Sequence, residues 1–152
     1  MAIQKILIVD DSPTERYYLT DILVRNGFTV TTADNGEEAL AKIKADKPEL
    51  ILMDVVMPGA NGFQVTRAIA RDPELADVPV IICSSKNQET DRIWGMRQGA
   101  KDYLVKPVDP ELLGTAVVED APDAVSRAER LIRRKYGLEF VLITTIEAVI
   151  AR

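Results

Sequence analysis

The sequence predicts an α/β protein: one sheet of five parallel strands with helices on both faces. Three observations carry that expectation. Five short apolar runs rich in Val, Ile and Leu recur at regular spacing, helical patterns lie between them, and each clear run ends on a polar or charged residue. Strands covered on both faces read as continuous apolar runs, and parallel neighbours need a helical crossover between them.

Lys5 to Val9 is a β-branched run that stops at Asp10-Asp11, as a central parallel strand does at its carboxyl end. A helix start follows. Ser12 suits the N-cap, Pro13 the first helical position, and Glu15 the acid of a capping box. The helix should run to about Asn26 with Leu19, Ile22 and Leu23 inward, and Gly27 should stop it. Phe28 to Thr32 reads as a shorter strand. Asp34-Asn35-Gly36 then turns the chain into a helix from Glu37 to Ala45, with Ala39, Leu40 and Ile43 as its buried stripe.

The third run, Leu50 to Met53, ends in an acid, Asp54, and soon meets Pro58 and Gly59. A buried strand whose next side chain emerges at the sheet's edge has this form. Phe63 to Arg71 follows as a helix with Val65 and Ile69 inward. Val78 to Cys83 is a fourth strand ending at Ser84-Ser85; a helix from about Gln88 to Gln98 carries Ile93, Trp94 and Met96 and stops at Gly99. A single aromatic on such a helix is more often packing than interface, so Trp94 is expected in the core. Asp102 to Val105 is a fifth strand ending at Lys106-Pro107.

Composition narrows the function classes. With 19 Lys and Arg against 24 Asp and Glu, the net charge of -5 argues against an electrostatic grip on nucleic acid or on an anionic membrane. No leader or membrane-length apolar run is visible, so a cytoplasmic protein is expected. The one cysteine, Cys83, lies inside an apolar run and should be a buried, inert thiol. Histidine is absent. Histidine general-base catalysis and histidine metal ligation are thereby excluded, and any phosphohistidine must come from another protein.

In open parallel sheets, ligands bind outside the carboxyl ends of the strands. Those ends carry Asp10 and Asp11, Asp54, Ser84 and Lys106. Singly, Asp10 or Asp11 is more simply a cap or a turn former, and a lone Ser84 or Lys106 carries no signal. Together they make three carboxylates, a hydroxyl and an ammonium in one pocket. Crowded carboxylates repel unless a cation joins them, and Mg²⁺ suits an all-oxygen set. Ser84 and Lys106 could then hold the oxygens of a transferring phosphoryl group, with Asp54 as the nucleophile that becomes an acyl phosphate.

Over about residues 1 to 118 the chain resembles the receiver domains of two-component response regulators. The matching residues are Asp10-Asp11, Asp54 with Met57-Pro58 and Gly62, Ser84, Tyr103 and Lys106-Pro107. Lys86 to Gly95, with Arg97 to Ala100, is similar to stand-alone regulators of type IV pilus twitching motility, the PilH type. The resemblance implies a flavodoxin-like fold with strand order 2-1-3-4-5, and phosphorylation of Asp54 by the phosphohistidine of a partner histidine kinase. It also implies Mg²⁺ on Asp11, Asp54 and the Val56 carbonyl, with Asp10 supporting through water. Ser84 and Tyr103 would form the switch, the Lys106-Pro107 bond would be cis, and the fourth helix, fifth strand and fifth helix would form the output face toward a downstream protein. Self-dephosphorylation would be slow, because Val56 offers no donor to a hydrolytic water.

Rival readings have specific obstacles. A flavin carrier of this fold would need a Ser/Thr/Gly phosphate loop where Asp10-Asp11 stands, and a haloacid-type phosphatase would need an acid at Val56. A non-phosphorylated scaffold is opposed by the complete acid set. Residues 119 to 152 are not explained by the receiver pattern. A break and fresh helix start at Glu119 to Asp123 leads to Ala124, Val125, Ala128, Leu131, Ile132 and Tyr136 at helical spacing, and Leu138 to Ala151 suits either strand or helix. Six acids balance six Lys and Arg there, so the segment is expected to pack on the domain or to join two copies as a homodimer, and not to bind DNA.

Overall fold

The computed structural model describes residues 3–108, 110, 113 and 114, and within them five strands and four helices alternate in the expected order. These are β1 (Lys5–Val9), α1 (Pro13–Arg25), β2 (Thr29–Ala33), α2 (Gly36–Ala45), β3 (Leu50–Met53), α3 (Gly62–Arg71), β4 (Val80–Ser84), α4 (Glu89–Arg97) and β5 (Asp102–Val105). The sheet order is β2-β1-β3-β4-β5, with every pairing parallel. This is the doubly wound, flavodoxin-like arrangement. Most of the expected fifth helix and the appendage at 119–152 lie outside the described residues.

The apolar strands work because each face has its own cover. Side chains alternate along a strand, so Ile6 and Ile8 join Leu50, Leu52, Ile81 and Cys83 on one face, under Leu19 and Leu23 of α1. Leu7 and Val9 join Ile51, Met53 and Val80 on the other face, under Ala39 and Ile43 of α2 and Val65 and Ile69 of α3. Cys83 is fully enclosed, and burial pushes its thiol up to about 12. It stays a protonated, unreactive thiol at neutral pH.

The helix ends show where local reading succeeded and where it did not. Ser12 caps α1, its Oγ accepting from the Glu15 amide at 3.4 Å. The reciprocal bond of a capping box does not form there, because the Ser12 amide donates at 2.9 Å to the Asp10 carboxylate instead. The full box occurs at α3, where Asn61 and Gln64 exchange bonds of 3.0 and 2.9 Å. β4 begins two residues later than expected, because the Val78 amide is used by the Leu75 carbonyl in the preceding turn.

Trp94 corrects the sequence reading: it is half exposed, not core. α4 meets the sheet through Gly95, its single buried residue. A side chain there would begin 2.9 Å from Ile82 and 3.1 Å from Tyr103, so close approach at Gly95 seats the helix and directs the bulky neighbours outward.

Candidate functional site

The carboxyl ends of β1, β3, β4 and β5 meet at one edge of the sheet, and their polar residues meet there with them. Asp10 follows β1 and is almost fully buried; Asp54 follows β3 and is 7 % exposed; Ser84 ends β4 and is wholly enclosed. Asp11 is exposed beside them. Backbone bonds fix the acids' positions: the Asp54 amide donates to the Val9 carbonyl at 2.8 Å, and the Asp10 amide to the Ala33 carbonyl at 3.0 Å. The sheet therefore continues its ladder for one residue past each strand and delivers the carboxylates in register.

Lys106 closes the group from β5. Its Nζ lies 2.7 Å from Asp10 Oδ2 and 3.2 Å from Asp54 Oδ1, and its amide donates to the Ser84 carbonyl at 2.8 Å. The Lys106-Pro107 bond is cis. Ser84 Oγ accepts from the Lys86 amide at 3.2 Å, and the buried Tyr103 donates its hydroxyl to the Lys86 carbonyl at 2.8 Å. The turn after β4 is thus tied to both residues expected to act as the switch.

Electrostatics marks the centre of the group. Burial, and after it the Asp10 carboxylate, push the Asp54 carboxyl up to about 6 against the pull of Lys106. Burial works against the Lys106 charge, yet its hydrogen bond to Asp10 and the attraction of both acids hold the ammonium above its ordinary range. One ammonium therefore faces three carboxylates. Oxygens of Asp10, Asp11 and Asp54 lie within 4.8 Å of one another. A crowded, all-oxygen, charge-deficient donor set fits a hard divalent cation.

Three supports of the site have contacts that the sequence did not report, although Gly62 itself is among the residues of the family pattern. Arg16 donates at 2.7 Å to the Asp10 carbonyl, reaching back from α1. The Ser12 amide holds the Asp10 carboxylate, as described above. Gly62 lies so close to the carboxyl end of β3 that a Cβ would stand 1.9 Å from the Asp54 carbonyl oxygen. Each depends on how the loops fold back, and neither periodicity nor residue type reports that.

The model of the response regulator receiver domain matches residues 6–118. The chain belongs to this family. The receiver is 56 % identical over 109 residues to protein PilH of Pseudomonas aeruginosa, covering 72 % of this chain and 90 % of that one. Its fold is similar to the chemotaxis protein CheY4 of Vibrio cholerae, with a TM-score of 0.69 and 34 % identity over 74 % of this chain and 93 % of that one. It is also similar to the Mn²⁺-bound form of response regulator Rcp1, with a TM-score of 0.64 and 25 % identity over 68 % of this chain and 81 % of that one. Among the described residues, no helix is long and apolar enough to cross a membrane.

Proposed function

We propose that this receiver is a phosphorylation switch: Asp54 takes a phosphoryl group from the phosphohistidine of a partner kinase, and the phosphorylated form signals by protein contact. The observation that carries the reading is the Lys106 ammonium bridging the buried Asp54 and Asp10 at the strand ends. An oxygen of Asp54 attacks phosphorus, the P–N bond breaks, and the departing imidazole keeps the electron pair and takes a proton. Lys106 and Ser84 bind the phosphoryl oxygens, which draws the Ser84 turn, and Tyr103 with it, toward the site.

Asp11 and Asp54, with the Val56 carbonyl, are the proposed Mg²⁺ ligands, and Asp10 supports them through water. The cation would neutralise the phosphoryl oxygens and the crowded carboxylates. That the similar response regulator Rcp1 has an Mn²⁺-bound form supports a divalent ion for this fold. Identity to PilH supports a role in pilus motility. Ile93 and Met96 on α4 and Val105 on β5 are exposed apolar residues, which supports this face as the output surface.

Incubation with Mg²⁺ and a small phosphodonor tests the reading. The parent protein should gain one phosphate mass and Asp54→Asn should gain none. A parent that stays unlabelled, or a variant that labels equally, would overturn it. All assigned site residues fall within 1–118, so a chain ended at 118 should label like the full chain. Sedimentation of the same two chains tests self-association through 119–152: a dimer lost on truncation supports it, and two monomers rule it out.

A further inference from the structure

α3 and α4 present matching triplets to each other. Arg67, Ala70 and Arg71 stand at positions i, i+3 and i+4 of α3, and Trp94 and Arg97 of α4, with its C-cap residue Gln98, stand at the same spacing. Residues so spaced share one helix face. With Gly99 they line a cleft of about 340 Å³, within the range of small-molecule sites.

The composition of the lining runs against that of the chain. A protein of net charge -5 gathers three guanidinium groups here, and no carboxylate lines the cleft. Among the described residues, carboxylate partners go to Lys5, Arg25, Lys42, Lys47 and Lys106, and to none of these three arginines. Uncompensated like charges held on two facing helices are a site for an anion, and guanidinium is the side chain best matched to phosphate. Beside them the chain's single tryptophan, Trp94, leaves half its surface exposed. An exposed indole next to cationic groups is a stacking platform for a planar ring. Gln98 adds a primary amide, which can both donate to and accept from a base edge.

We propose that this cleft binds a nucleotide, with the base against Trp94 and the phosphates among Arg67, Arg71 and Arg97. An acidic peptide would satisfy the arginines but leave the indole without a partner; a nucleotide uses both. The cleft shares no residue with the Asp54 site, so the proposal stands independently of phosphotransfer.

Trp94 provides the readout. The full chain, without Mg²⁺ so that the carboxylate site does not recruit phosphate, is titrated with GTP, ATP and inorganic tripolyphosphate, following tryptophan fluorescence and heat. At least one nucleotide should quench saturably, and tripolyphosphate should bind at least roughly tenfold more weakly because it lacks a base. Arg71→Ala and Arg97→Ala should each weaken binding by roughly tenfold, and Trp94→Leu should weaken it in calorimetry. Labelling of these variants by a phosphodonor should match the parent, which shows the fold retained. Absence of saturable binding at millimolar nucleotide, equal binding by the arginine variants, or binding of an oligoglutamate peptide in place of nucleotide would overturn the proposal.

Discussion

Asp54 carries an electrostatic cost that the metal-free protein cannot relieve. Its carboxyl titrates near 6 in the folded chain against an ordinary 3.8. The folded state therefore keeps a proton that the unfolded state has lost, and stability falls as pH rises from about 4 to about 6, then holds level. Asp54→Asn removes the charge, so at pH 7.5 without metal it should be more stable by roughly 1–3 kcal/mol in urea unfolding. A less stable variant would show that attraction to Lys106 outweighs burial. Protons and Mg²⁺ compete for the same oxygens, so Mg²⁺ affinity should rise up to about pH 6 and then level off in a calorimetric series. Val56 is mostly exposed beside the proposed acceptor and has no donor for water; Val56→Asn should shorten the phosphoryl lifetime severalfold in a release time course. Gly62→Ala, with its new Cβ against the Asp54 carbonyl, should cost roughly 3 kcal/mol and slow the proposed phosphorylation, since Asp54 must shift to accommodate it.

Elements were legible to within a residue or two where apolar pattern and punctuation agreed, as at β1, β3 and β5. Leu52 shows why: wholly buried in β3 beneath α1, it belongs to a run that no other element could hide, and Leu52→Ala should cost roughly 2–5 kcal/mol in thermal or urea unfolding. α4 was less legible. Its presence and approximate span followed from punctuation, but its buried contact is a glycine, which leaves no apolar signal, so the direction of Trp94 could not be read from spacing. The Asp10 carboxylate, a tertiary competitor for the Ser12 amide, likewise displaced the capping box that residue types suggested at α1.

At the scale of the whole molecule, the candidate site was legible because strand ends are visible in sequence and parallel strands all end on one side. Asp10, Asp54, Ser84 and Lys106 could each be named from a run that stops. What pattern alone could not supply was the strand order that makes β1 and β3 neighbours and sets β5 at the edge; that depends on pairings between segments far apart in the chain. The Lys106 bridge shows the same separation, spanning 96 residues to Asp10 and 52 to Asp54. On the ribosome this means that the acids emerge long before their cation. A nascent chain that has released β1 through β4 carries Asp54 but not Lys106, so the bridge on which the proposed phosphotransfer relies is completed only once β5 has been made.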